Sequence, residues 1–279
     1  MSTAVSAASF AYGFAGEFAG GFGGGAPSEA LVRIDGTRGV VVLVVVVLGM
    51  ATLAAAIRWA VGLGNGRDEV VAAARATVQL GVVGALIAVV LQSWGLTLLF
   101  VLLMTVVATV TAAGRMRAAP RSWAVVPIVL GAMPVTATLL GVGLLPWQPI
   151  AVIPTAGILI GNAMTATSLA GRRCLESLAE RRGEREAALA LGLMPRDAAL
   201  LVCQDAARLA LIPGLDQTRT VGLVTLPGAF VGTLLGGATP MEAAALQLVV
   251  LVGILLAQSV AVALTLELVV RDEIRQRAA

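Results

Sequence analysis

Hydrophobic residues in this chain form long runs without a single charge, and these runs alternate with short polar connections. The first run extends from Gly39 to Ile57 and is bracketed by Arg38 and Arg58. A helix of about 20 residues crosses roughly 30 Å of hydrocarbon. This run therefore predicts a first membrane-spanning helix.

Two later charge-free runs are about twice as long as one span requires, and each contains a turn signal near its middle. Ala76 to Gly114 contains the turn signal 92–95, and Ser122 to Gly171 contains the turn signal Pro146 to Pro149. Two prolines stop a helix, and the tryptophan between them suits a membrane interface. We therefore expect two helical hairpins, which supply spans two to five.

The pattern changes after Gly171. The segment from Arg172 to Arg219 carries eight arginines among acidic residues, and we expect no part of it to cross a bilayer. Two further charge-free stretches follow, Thr220 to Met241 and Ala243 to Leu266, separated by a turn that ends at Pro240. They predict spans six and seven.

These patterns predict an all-α, polytopic transmembrane helix bundle of about seven spans. Residues 1–38 are expected to be a low-complexity N-terminal extension, and residues 39–279 a transmembrane permease domain. Within that domain, residues 172–219 are expected to form a cytosolic coupling segment with a helix-turn-helix.

Arginines are distributed unevenly between the connections. Those after spans one, three, five and seven contain arginine, and the other three contain none. Because arginine-rich short loops stay cytoplasmic, the N-terminus is predicted outside and the C-terminus inside the plasma membrane. Arg33 and Arg38 favour the alternative, an internal N-terminus with a re-entrant first segment.

Composition argues against a soluble protein. Of 279 residues, 58% are hydrophobic and 13% are charged, with mean hydropathy +0.95, whereas soluble domains carry about 25% charged residues. A soluble core of this size could not bury so much apolar surface, but a bilayer solvates it. The lipid bilayer is therefore an expected partner, and nucleic acid is not.

All nineteen basic residues are arginines, so the chain has neither lysine nor histidine. This excludes histidine zinc sites, Ser-His catalysis and a Walker A lysine. We therefore expect no enzymatic activity and no bound cofactor in this chain, with ATP and magnesium held by a partner subunit. Cys174 and Cys203 are interpreted as reduced apolar residues, because two thiols alone make an incomplete soft-metal site.

Several polar and small residues inside the spans are candidates for function. Polar side chains facing lipid are unfavourable, so they should face other helices or a cavity. For each of these polar residues, and for Gln258, the alternative to binding substrate is an interhelical hydrogen bond. The tentative substrate pathway consists of Gln79, Asn162, Met164, Thr165 and Ser168.

Glycine and proline provide a second set of candidates, for hinges or close packing. Glycines four residues apart allow helices to approach in lipid, and a proline inside a span is expected to kink it. Ordinary helix packing is the alternative to a subunit interface or pathway. The set consists of Gly157, Gly161, Pro227, Gly228 and Gly232.

A third set lies in the Arg-rich segment, where helix-forming residues end at a glycine and a second helix opens at Pro195. Acidic side chains early in a short helix complement its dipole and can meet basic groups of a partner. An amphipathic helix on the membrane surface is the alternative. The residues expected to couple to an ATPase are Glu184, Glu186, Ala187, Ala188 and Gly192.

Five stretches of the sequence carry a resemblance to a known family: 75–80, 158–164, 188–192, 220–228 and 236–240. They resemble the FetB-like (UPF0014) permeases of ABC transporters. That family includes bacterial iron exporters and plant aluminium-tolerance proteins. Glu186 to Gly192 is similar to the loop by which ABC permeases dock on their ATPase, although Ile212 and Pro213 lie farther downstream than that motif prescribes.

The resemblance implies a permease subunit that pairs with itself and with an ABC-type ATPase, exporting metal ions with iron as first choice. On this hypothesis the coupling helix transmits ATPase closure to spans five and six. The alternatives are an ATP-independent channel or secondary carrier, and a membrane-embedded enzyme. The spans carry no deeply placed acidic residue, which counts against a proton-driven carrier.

Overall fold

The structure, a computed structural model, describes residues 36–64 and 66–276. Residues 1–35 of the extension predicted for residues 1–38 lie outside the described residues. The described residues form ten α-helices, two short 3₁₀ turns and a pair of two-residue strands, so the predicted all-α membrane bundle is confirmed.

The helices differ greatly in length, and the longest two have more than 30 residues each. In chain order they are α1 Gly36–Ala60, α2 Arg67–Val90, α3 Trp94–Met116, α4 Val125–Gly141, α5 Pro149–Glu180, α6 Arg182–Ala190, α7 Pro195–Arg208, α8 Ile212–Thr220, α9 Gly228–Leu235 and α10 Pro240–Val270. Strand β1 is Ala118–Ala119, and strand β2 is Arg275–Gln276.

The chain divides into two compact units. The first ends at Val89 and contains α1 and nearly all of α2. Within this unit, Arg58 near the end of α1 forms an ion pair with Glu69 at the start of α2. This pair connects the two helices across their short turn.

The second unit begins at Val90 and has its core around α5 and α10. Helix α5 packs against α3, α4, α7 and α10, and α10 also packs against α4 and α7. Small residues allow these helices to approach closely: a Cβ added at Gly131 on α4 would lie 2.7 Å from the carbonyl oxygen of Ala257 on α10. Close backbone approach of this kind is common between helices in lipid.

Seven helical stretches of the described chain are long and apolar enough to cross a membrane. Six of them match predicted spans one to five and seven. The turns expected at 92–95 and 146–149 lie where predicted, and Pro149 is at the start of α5. At the last turn, Thr239 and Glu242 form a capping box that begins α10.

The sixth span was predicted wrongly. Thr220 to Met241 is not one helix: Gly222 has φ +83° in a turn closed between Val221 and Thr225, and between α8 and α10 only the eight residues of α9 are helical. Pro227 is the N-cap of α9, so it precedes the helix and does not kink it. Proline and glycine break the helix here, although the stretch carries no charge.

The stretch that qualifies as the sixth candidate is instead Pro195–Thr220, which comprises α7, a 3₁₀ turn and α8. By length and composition, the prediction that no part of Arg172–Arg219 could cross a bilayer is wrong. Helix α5 also continues past Gly171 to Glu180. The number of candidate spans remains seven among the described residues, because one candidate for the sixth replaces another.

Connections predicted to share a membrane face lie together in the second unit. Trp94, after the second span, and Trp147, after the fourth, have ring centroids 6.3 Å apart. At the other ends of these helices, β1 after α3 pairs antiparallel with β2 after α10. The arginine-free turns and the arginine-bearing turns thus group at opposite ends of α3 and α5.

Candidate functional site

The polar residues predicted on α5 mostly bond to their own helix. The Thr165 hydroxyl donates to the Gly161 carbonyl over 3.0 Å, and the Ser168 hydroxyl donates to the Met164 carbonyl over 2.7 Å. The Met164 side chain is half-buried against the core. Such bonds to the preceding turn satisfy hydroxyl groups within an apolar environment.

Asn162 is different, because it reaches another helix. Its Nδ2 donates to the Ile158 carbonyl over 2.9 Å, and its Oδ1 accepts a hydrogen bond of 3.1 Å from Nε2 of Gln258 on α10. Gln258 is 4% exposed, and its Oε1 has no hydrogen-bond partner among the described residues. The interhelical hydrogen bond considered for these residues is therefore present.

Gly214 on α8 makes room for this pair. A Cβ placed there would lie 1.8 Å from Oε1 of Gln258, so only glycine allows the amide to lie against the backbone of α8. Asn162, Gln258 and Gly214 thus form a junction between α5, α10 and α8. The sequence indicated the two amides, but gave no signal for Gly214.

The fifth predicted pathway residue, Gln79, belongs to the first unit. It lies on α2, and its side chain is exposed there. The other four pathway residues belong to α5 in the second unit.

The predicted small residues differ in their surroundings. A Cβ added at Gly157 would lie 2.6 Å from the end of the Met104 side chain, which is close packing against α3. A Cβ at Gly161, Gly228 or Gly232 would meet nothing within 4 Å. Three of the four glycines therefore face open space in this single chain.

The predicted coupling helix is present as α6, and it turns where expected. Gly192 has φ +92°, a conformation that L-residues with a side chain rarely adopt, and Pro195 begins α7 as predicted. Ala188 is buried, whereas Ala187 is exposed. Helix α6 and the start of α7 form the segment that we call the coupling hairpin, residues 182–197.

The acidic side chains of the coupling hairpin are exposed and paired with nearby arginines. Glu184 binds Arg181, with Nε to Oε1 at 2.8 Å, and Glu186 binds Nε of Arg182 at the same distance. The hydrogen bond from the Arg181 guanidinium holds the pKa of the Glu184 carboxyl below its usual value. The Glu184 carboxylate is therefore ionised at neutral pH, and the side chains of Glu184 and Glu186 are both exposed to solvent.

Two contacts that the sequence did not predict attach the coupling hairpin, and Arg181 directly before it, to the rest of the second unit. Nη1 of Arg181 donates to the Val202 carbonyl of α7 over 3.2 Å. Arg196 binds Glu267 of α10 through Nε, at 2.9 Å from Oε1, and through Nη2, at 2.7 Å from Oε2. Glu267 also pairs with Arg271, as expected from their spacing.

The two cysteines, 29 residues apart, meet where α5 contacts α7. Each Sγ lies 3.7 Å from the backbone carbonyl oxygen of the other cysteine, and both side chains are fully buried and free. Among the described residues, no three or more His, Cys, Asp or Glu side chains are grouped so that they could hold a metal ion.

Comparison with known proteins gives one family match. The model of the uncharacterised protein family UPF0014 matches residues 41–274. No solved structure matches the chain.

Three similar proteins come from plants and a bacterium. The chain is 38% identical to the UPF0014 membrane protein STAR2 of Oryza sativa subsp. japonica, over 72% of each chain. It is 37% identical to the protein ALUMINUM SENSITIVE 3 of Arabidopsis thaliana, over 66% of this chain and 69% of that protein. It is 32% identical to the probable iron export permease protein FetB of Escherichia coli (strain K12), over 66% of this chain and 73% of that protein.

Proposed function

The chain belongs to UPF0014, a family of multi-pass membrane permeases, and we propose that it is the membrane-spanning subunit of an ABC transporter that exports metal ions. Iron is the first choice of substrate, because a relative is named a probable iron export permease. The energy comes from ATP hydrolysed, with magnesium, on a separate ATPase subunit.

The coupling hairpin is the observation that carries this proposal. It presents the carboxylates of Glu184 and Glu186 to solvent, turns at Gly192 after its first helix, and is attached to the bundle by Arg181 and Arg196. A short, exposed helix anchored at both ends suits insertion into a cleft of a partner. The absence of lysine from the chain also requires the Walker A lysine to lie on another subunit.

The chemistry of the spans favours brief contact with the metal. Asn162, Thr165 and Ser168 offer amide and hydroxyl oxygens, and Met164 offers a thioether. Neutral ligands such as these bind a cation weakly, which allows release on the far side. Gln79, on α2 of the first unit, offers a further neutral oxygen ligand.

Two copies of the permease are proposed to pair. The open faces at Gly161, Gly228 and Gly232 support this arrangement, because small residues allow a helix of a second copy to approach closely.

The proposed orientation places the N-terminus outside and the C-terminus in the cytoplasm, in the plasma membrane. Both native cysteines are fully buried, so the wild-type chain gives a low background for thiol labelling. A cysteine introduced at Gln148 is expected to react with a membrane-impermeant reagent from outside the cell. Reaction only from the cytoplasmic side would contradict this orientation.

Affinity purification from native membranes tests the proposal. The tagged chain is expected to retain an ATPase, and Glu186→Arg is expected to lose it because the exposed carboxylate becomes a cation. Glu176→Arg is the matched control, since Glu176 is also exposed and pairs with an arginine one helical turn away. If the wild-type chain retains no ATPase, or if both variants behave alike, the proposed docking is wrong.

A further inference from the structure

Arg196 and Glu267 form a two-point connection between helices that are far apart in sequence. Nε of Arg196 lies 2.9 Å from Oε1 of Glu267, and Nη2 lies 2.7 Å from Oε2, across a separation of 71 residues. Arg196 is in the first turn of α7, and Glu267 is in the last turn of α10. The contact therefore joins the coupling hairpin to the end of α10.

The geometry of this pair fixes orientation as well as distance. A planar guanidinium that bonds both oxygens of a carboxylate resists rotation, which a single ammonium contact does not. Arg271 contacts the same carboxylate one turn further along α10 and holds it in place. Because both partners are partly exposed, the pair contributes little to stability. Its main consequence is to connect the positions of α7 and α10.

The coupling hairpin leads directly to this connection. Arg196 follows the Gly192 turn by four residues and lies in the first turn of α7, so it is close along the chain to α6. Beyond Glu267, the chain continues to Ile274, which is 1% exposed, and then to β2, which pairs with β1. Movement at Arg196 thus reaches α10 and the connection between α3 and α4.

The stretch Thr220–Met241, expected from sequence to receive this movement, is in a less direct position. It is separated from the coupling hairpin by all of α7 and α8. Helix α9 within it has no fully buried residue, and it packs against α10 itself. Helix α10, in contrast, is packed along α4, α5 and α7.

We propose that Arg196 and Glu267 are positioning residues that carry movement of the coupling hairpin into α10. This inference rests on the proposed function, since it assumes that an ATPase moves the hairpin. On this inference, α10 receives the movement together with α5. At α10 the movement would reach Gln258, which touches Asn162 of the proposed pathway.

The test uses the chain together with the ATPase that co-purifies with the wild type, reconstituted in liposomes with ferrous iron as the probe. The variants are Arg196→Gln, Glu267→Gln and the double variant. Each is expected to retain the ATPase and to hydrolyse ATP, but to move about tenfold less iron per ATP hydrolysed. The double variant is expected to lose no more than either single variant, because both remove the same connection.

Arg172→Gln is the matched control, because Arg172 pairs with Glu176 within α5 and joins no second helix. It is expected to transport iron at the wild-type ratio. If Arg196→Gln still binds the ATPase and moves as much iron per ATP hydrolysed as the wild type, the inference is overturned and the proposed function stands. Losses of this ratio that add in the double variant would have the same meaning. A wild-type chain that retains no ATPase would overturn the proposed function, and the coupling role with it.

Discussion

Gln258 on α10 donates a hydrogen bond of 3.1 Å to Asn162 on α5, and this contact joins two long helices of the second unit at a buried position. Amide groups are costly in an apolar interior unless they are paired. The pair therefore fixes the rotation of α5 and α10 against each other. It also places polar groups inside a bundle whose other contacts are largely apolar.

The first prediction concerns this pair. Asn162→Leu and Gln258→Leu should each destabilise the protein, because each leaves the other amide buried without its partner. A double-mutant cycle of unfolding in mixed micelles should give a coupling energy of about 0.5–1.5 kcal/mol, the usual range between membrane helices. Ser259→Ala is the control, because this exposed hydroxyl bonds only its own helix. A coupling energy of zero would mean that the contact does not form.

A second prediction follows from the space at Gly214. Gly214→Ala would bring a Cβ within 1.8 Å of the Gln258 amide oxygen, so the amide must move and lose Asn162. We expect destabilisation of about 1–3 kcal/mol, as is typical of overpacking. Gly114→Ala should be harmless, since Gly114 lies inside α3 and nothing lies within 4 Å of its Cβ position.

Truncating Gln258 should relieve this clash. Gly214→Ala combined with Gln258→Ala is expected to be less destabilised than the sum of the two single changes, because the shortened side chain leaves room for the new methyl group. Thermal unfolding of the four proteins measures this. Additive losses would show that Gly214 is not in contact with Gln258.

The third prediction concerns the turn of the coupling hairpin. Gly192 has φ +92°, so Gly192→Val should strain the backbone by about 1–2 kcal/mol and tilt α6 relative to α7. We expect the variant to insert normally but to lose stimulated ATP hydrolysis. Gly183→Ala is the control, because Gly183 is inside α6 with open space around it. Equal ATP hydrolysis in both variants would argue against a role for the turn.

Much of the fold could be predicted because its signals are local. Proline at the start of a helix and glycine after its end identified Pro195 and Gly192, and the two prolines of 146–149 identified the turn before α5. The i,i+4 pair of Glu267 with Arg271 was predictable for the same reason. Each of these features depends only on residues within a few positions of one another.

The errors and omissions have a different physical origin. Absence of charge was taken as a sign of a spanning helix, but Thr220–Met241 is rich in glycine and proline and does not stay helical. Conversely, only Asp205 and Arg208 are charged between residues 198 and 215, although the segment as a whole looked too polar. The partners of Gln258 and Arg196 lie 96 and 71 residues away, and nothing in the local sequence indicates them.

A fourth prediction uses the pH dependence of Glu184. Arg181 depresses the pKa of this carboxyl below its ordinary value of 4.5. A depressed folded-state pKa gives a stabilisation that is complete above the unfolded pKa and is lost as the pH falls through the folded one. Glu184→Gln should therefore flatten the acid side of the stability profile: the variant should be slightly less stable than the wild type at neutral pH, and the two should converge as the pH falls. An identical acid profile in thermal melts of both proteins would contradict the Arg181 contact.

ATP-dependent iron flux tests the central claim most directly. Liposomes containing the chain and its co-purifying ATPase should move ferrous iron only while ATP is hydrolysed. Replacing the Walker A lysine of the ATPase should stop the flux without releasing the permease. Iron flux at the same rate without ATP, or without the ATPase subunit, would contradict the account and identify the protein as a channel or secondary carrier.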